Sequence, residues 1–346
     1  MNYQRSKNAL LGLAIGDSLS WQAMFHRSLE LPFWTRRIRR EIDVESETYK
    51  IVKLNSPFSL NNPVEPFKLS PTDDTEWAAF TIDSLLKADG KYDFNLQLKA
   101  WKELAVNQEN IYGNVSTKAA LKNLNKDLLP PESGNDNPHY FDDGAMVRAI
   151  SIGALYAGNI EQAVEYSGLD ASITNSLDGI WASQAIAAAV SLACVENDIQ
   201  KIIDVALQQI PGNSWLNLKT KEAMEIANKY ESLFEALPIL HDNIIDHSYN
   251  YGSSSPDNLA LSLAIFFLSK GDLTLGITSA ASLAKTADSV PAFVGALCGA
   301  LKSDSFSDNW TKKIISLKGI CIPELKGKNF LEMTEKINEF AFHSLK

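Results

Sequence analysis

The chain has 346 residues, enough for one large domain or two modest ones and for a substantial core. Its 45% apolar and 21% charged content is ordinary for a globular protein, and a net charge of −10 argues against a nucleic-acid partner. Cys194, Cys298 and Cys321 are widely spaced and outside any CxxC pattern, so they read as buried thiols in a reducing, cytoplasmic setting.

The opening stretch, "MNYQRSKNALLGLAIGDSLSW", holds an apolar run of seven residues before Gly16 and Asp17. That run is too short to span a membrane and no small-residue cleavage site follows, so no membrane association is expected. Residues 27–69 break the pattern with "FWTRRIRREI", a strand-like "YKIVKL" and a loop carrying Pro57, Pro63 and Pro66. They read as a long irregular insertion, with at most a short hairpin in 47–62. Arg36, Arg37, Arg39 and Arg40 read first as a solvated helix face, and otherwise as a lid for phosphate or a partner.

"SPTDDTEWAAF", at 70–80, places adjacent aspartates before an apolar helical run. One reading is a helix start: Ser70, Thr72 or Asp73 caps, Glu76 completes a capping box, and negative charge meets the positive end of the helix dipole. The other is an oxygen-rich cation site, because threonine hydroxyls and carboxylates are hard ligands for Mg²⁺ or Mn²⁺. On this stretch alone the cap suffices.

Helical periodicity then recurs over 75–88, 94–106, 144–158, 179–195, 198–209, 218–236, 256–270, 272–285, 288–302 and 328–344. "GIWASQAIAAAVSLACV" and "PAFVGALCGAL" are rich in small residues, as interior helices that approach closely would be. No βαβ alternation, repeat or linker interrupts them, so one compact all-α domain over 1–346 is expected. Residues 126–143 form a polar loop. His241 and His247, flanked by Asp242 and Asp246, are six residues apart; the spacing suits no single helix face, which favours exposed loop polarity over a metal site. Trp21, Trp77 and Trp181 read as core residues.

Four motifs fall in order: "LLGLAIGDSL" (10–19), "SPTDDTEWAAF" (70–80), "FDDGAMVRAISIGAL" (141–155) and "AKTADSVPAFVGALCGAL" (284–301). Together they resemble the ADP-ribosylglycohydrolase family, and "IYGNVSTKAAL" (111–121) is similar to a family Tyr-Gly…Thr loop. The resemblance spans residues 7–302. It implies an orthogonal multi-helix bundle in which two divalent ions grip the distal ribose of an ADP-ribosyl group. Water then cleaves the bond to a protein side chain, arginine being one candidate, or to a small acceptor.

Residue by residue, Thr72, Asp73 and Asp74 match the first ligand group, and Gly16 and Asp17 match the first-helix pair. Asp288 matches the second Asp of Gly-Asp-x-Asp-Thr, and Ser289 stands where Thr is usual. Thr286 replaces the first Asp of that motif and Lys285 its Gly; Met24 stands where a ligand Glu often lies. Asp143 replaces the Asn of the mid-chain motif, after Asp142 and before the retained Gly144 and Arg148, while Thr174-Asn175 replaces a Thr-His pair. The resemblance therefore implies one Mg²⁺ or Mn²⁺ rather than two, held by Thr72, Asp73, Asp74, Asp288 and Ser289. Lys285 either fills the second ion's place or is a plain surface charge, and Glu30, Glu41 or Glu45 can replace a missing ligand.

Asp73 and Asp74 are then the catalytic carboxylates. Asp17, Tyr112, Asp142, Asp143, Gly144 and Tyr251 are the expected substrate contacts. Two functions stand side by side: a metal-dependent hydrolase acting on an ADP-ribosylated protein or an ADP-ribose-containing small molecule, and a weakened homologue that binds ADP-ribose or a partner protein without turnover.

Overall fold

The computed structural model describes residues 4–20, 68–248, 251–283, 285–302 and 304–344. The insertion, except for residues 68 and 69, lies outside them, and with it Trp21, Met24, the arginine cluster, the expected hairpin and the three candidate glutamates.

Sixteen α-helices and no strand are found among the described residues. They are α1 (Arg5–Leu19), α2 (Asp73–Lys87), α3 (Phe94–Val106), α4 (Val115–Leu124), α5 (Glu132–Asn135), α6 (Gly144–Leu155), α7 (Ile160–Ala171) and α8 (Asp178–Ala193). The second half adds α9 (Ile199–Leu207), α10 (Trp215–Ala227), α11 (Leu233–Ile244), α12 (Ser255–Leu268), α13 (Leu273–Ala281), α14 (Val290–Leu301), α15 (Asp308–Ile314) and α16 (Phe330–Ser344). One hydrophobic cluster runs through the bundle from Ala9 to Ala341. None of the described helices is long and apolar enough to cross a membrane.

The expected helix over 218–236 is two helices. α10 stops at Ala227, and a polar stretch, Asn228–Ser232, intervenes before α11. Helices α1, α4, α5, α7 and α15 lie outside the periodic segments: the last four bury few apolar side chains, and α1 is buried on nearly every side and so carries no single stripe.

The tightest packing joins α1 to α14. A Cβ on Gly12 would lie 2.0 Å from the Gly295 carbonyl oxygen, and one on Gly295 would lie 2.2 Å from that of Gly12. Gly16 meets Pro291 in the same way, at 1.9 Å. Real side chains never approach backbone that closely, so glycine is required for this crossing. It brings Asp17, near the end of α1, beside the start of α14. On the other side, Trp101 of α3 is fully buried, stacks on Trp77 at 5.3 Å and carries the Arg148 guanidinium 4.9 Å above its ring. Trp77 is thus core as expected; Trp181 is half-buried against the cluster.

Candidate active site

Helices α2, α4, α6, α12 and α14 present their N-terminal ends to one region. The starts of α6 and α12 are stitched together, the Asp143 amide donating to the Ser253 carbonyl (2.9 Å) and the Ser255 amide to Phe141 (3.0 Å). Helix N-termini carry unpaired N–H groups and partial positive charge, so carboxylates at this junction have an electrostatic reason to be there.

Asp17 is buried, and its carboxylate accepts from the Thr72 amide (2.7 Å), the Thr72 hydroxyl, the Thr75 amide (3.2 Å) and the Thr75 hydroxyl (2.5 Å). A residue 55 positions away therefore caps α2. Thr72 is the N-cap by position, but its side chain makes no cap bond within the helix. The expected capping box is absent as well. Glu76 instead accepts from the amides of Ile320 (2.9 Å), Cys321 (2.7 Å) and Ile322 (3.3 Å), fixing a distant loop against α2.

Asp74 lies within this frame and is buried, while Asp73 and Asp288 are half-buried. Burial, and after it the charges of Asp73, Asp17, Asp288 and Asp143, push the Asp74 carboxyl well above the usual range. Charges from all four sequence motifs therefore bear on one buried acid.

Asp142 is fully buried. Its Oδ2 accepts from the Ser116 amide (2.9 Å) and the Tyr251 hydroxyl (3.2 Å), and its Oδ1 from the Ser116 hydroxyl (2.5 Å), the Gly144 amide (3.3 Å) and Asn175 (3.3 Å). One carboxylate caps both α4 and α6. Asp143 accepts from Asn114 (3.0 Å), Asn258 (2.6 Å) and the Ser289 hydroxyl. Burial, and then the neighbouring Asp142 charge, still raise it to about 7.

Tyr251 also stands edge-on to His139 at 4.4 Å, at a rim continued by Phe141 and Trp215. Tyr112 is 49% exposed on the loop that carries Asn114, its amide donating to the Cys321 carbonyl at 3.0 Å. Arg148, retained from the motif, is buried in an ion pair with Asp170 (2.7 Å) and donates to Thr174 (2.9 Å), so it braces the wall from behind. Lys285 is one of the charges that ease the burial-raised Asp257 carboxyl, after the Asp246 amide and Lys219. Thr286 is buried and its hydroxyl has no hydrogen-bond partner among the described residues.

Asn114, Ser116, Asn258 and Thr75 escaped the sequence reading as parts of this site. Thr75, Asn114 and Ser116 lie inside quoted motifs and Asn258 outside them, but no local pattern names their partners, since each meets its carboxylate across a long stretch of chain.

The fold and this oxygen-rich junction define a helical bundle with an acidic centre walled by helix N-termini. The chain belongs to the ADP-ribosylglycohydrolase family, whose profile matches residues 2–337. It is a glycohydrolase family, and its activity is directed at ADP-ribosylated substrates. A solved structure of an ADP-ribosylglycohydrolase-related protein complex superposes with a TM-score of 0.59 and 17% identity, covering 98% of this chain and 99% of that one. At that identity the likeness speaks for the fold alone. No curated protein matches the sequence.

Proposed function

We propose that the chain is a single-domain, cytoplasmic, metal-dependent hydrolase that releases ADP-ribose from a modified protein side chain or a small acceptor. The observation that carries this reading is Asp74, a buried acid crowded by four other carboxylates. Like charges at such density call for protons or a cation.

The donors suit a hard divalent ion such as Mg²⁺ or Mn²⁺. Thr72 gives its hydroxyl hydrogen to Asp17 and Ser289 gives its own to Asp143, which leaves oxygen lone pairs on both for a cation. Thr72, Asp73, Asp74, Asp288 and Ser289 would hold one ion. When bound, it would orient ribose hydroxyls and offset negative charge.

The chain's own groups supply the rest. Asp73 or Asp74 accepts a proton from water as the water oxygen bonds to the anomeric carbon; the bond to the acceptor breaks, and that proton passes on to the departing acceptor. Asp17 positions Thr72. Asp142, Asp143 and Gly144, with Tyr251 and Tyr112 at the rim, face the ADP-ribosyl group. Three free, buried cysteines suit a reducing compartment.

The reading is tested by ADP-ribose release from an arginine-modified protein with Mg²⁺ and with chelator. Asp73→Ala and Asp74→Ala should each lose at least about a hundredfold in rate, and full activity in either, or indifference to chelator, refutes it. One observation favours the second reading, binding without turnover: Thr286 offers a hydroxyl where the family has a carboxylate. An inert wild type that gains activity as Met24→Glu/Thr286→Asp would establish that alternative.

A further inference from the structure

The end of α11 holds a second constellation, in the stretch that also carries Asp246. One potential ligand atom from each of His241, Asp242 and His247 lies within 4.8 Å of the other two. The helix ends at Ile244, and the following turn carries His247 back over the last turn of α11. Thus two residues that share no helix face meet, with ring centroids 4.8 Å apart and the planes tilted by 45°. His241 is buried, whereas Asp242 and His247 are exposed.

Two details exceed chance proximity. His247 Nε2 lies 2.9 Å from the His241 carbonyl oxygen. A carbonyl only accepts, so Nε2 carries the hydrogen, and in the neutral ring the lone pair is on Nδ1. Metal-binding histidines are oriented in this manner, one ring nitrogen donating to a carbonyl while the other ligates. Then, His241 Nδ1 and Asp242 Oδ1 are 3.3 Å apart. That is long for a charge-assisted hydrogen bond, but it matches the edge of a tetrahedron with metal–ligand bonds of about 2.0–2.1 Å.

We propose that His241, Asp242 and His247 form a site for a borderline divalent transition ion of the Zn²⁺ class, with water completing four-coordination. Two imidazoles and one carboxylate select such an ion over Mg²⁺, which prefers all-oxygen shells. The ion clips the end of α11 to the chain leading toward Tyr251. None of its three residues is among those assigned to the carboxylate centre.

The test is titration of the metal-free protein with Co²⁺ under a large excess of Mg²⁺, which occupies hard oxygen sites but not imidazole. The intense visible bands of four-coordinate Co²⁺ should saturate at one equivalent, and Zn²⁺ should abolish them. His247→Gln and Asp242→Asn alter exposed side chains and should retain the wild-type circular dichroism spectrum. Each should weaken Co²⁺ affinity by at least about tenfold. Only the faint spectrum of six-coordinate Co²⁺ in the wild type, or intense bands unchanged in His247→Gln, would overturn the proposal.

Discussion

The two walls of the acidic centre are built by opposite means. The α1–α14 wall relies chiefly on missing side chains: glycine faces let backbones touch, and Arg5 adds a hydrogen bond from Nε to the Ala300 carbonyl. The wall formed by the starts of α4, α6 and α12 relies on side chains, with Asp142 and Asp143 collecting donors from Ser116, Asn175, Tyr251, Asn114 and Asn258. The first is indifferent to pH and intolerant of volume. The second responds to protons. A centre bounded by both keeps its spacing while its charge changes.

The largest expected effect breaks the first wall. Gly12→Ala places a methyl 2.0 Å from backbone that cannot retreat without moving α14, and should cost about 3 kcal/mol or more in urea unfolding. Near-wild-type stability would show that the crossing can slide.

The second wall should break under an isosteric change. Both Asp142 oxygens accept from backbone amides, Oδ2 from Ser116 and Oδ1 from Gly144. Asp142→Asn must therefore turn its NH₂ toward one of them, whichever way it flips. We expect a loss of about 1–3 kcal/mol, read by thermal unfolding.

A pH measurement sharpens the contrast. Asp143 rises from its ordinary range to about 7 on folding, so the native state holds a proton that the unfolded chain has released. Its contribution is fully present below the unfolded value and is lost as pH rises through about 7. In chelator, the melting temperature should fall from about pH 4 to about pH 7 and then level off, and Asp143→Asn should flatten that fall. Added Mg²⁺ should oppose it.

The smallest effect is the control. Lys7 on the outer face of α1 pairs with Glu335 at 2.9 Å, partly exposed. Lys7→Ala should shift stability by less than about 1 kcal/mol. A larger loss would mean that α1 is held by its outer face as well.

Much of this architecture was legible because it is local. α3 occupies the expected 94–106, since Asp93 caps it and its apolar stripe, including Trp101, repeats at helical spacing. The Gly/Ala-rich run of α14 announced a close-packed helix, and the acids of the motifs were readable from their order along the chain. What could not be read is pairing at a distance. Nothing near Asp17 announces that it caps a helix starting 56 residues later, and nothing in the 218–236 periodicity outweighs the break at Asn228. The spacing of His241 and His247 argued for separation until a turn brought them together.

Glu76 has a bearing on motion. Its three amide partners lie in a segment without regular helix, yet each is anchored two residues beyond the buried Asp74. Residues 320–322 therefore cannot open on their own in hydrogen exchange. Their amides should be protected like those of α2, and the C-terminal stretch and the floor of the acidic centre should breathe as one cooperative unit.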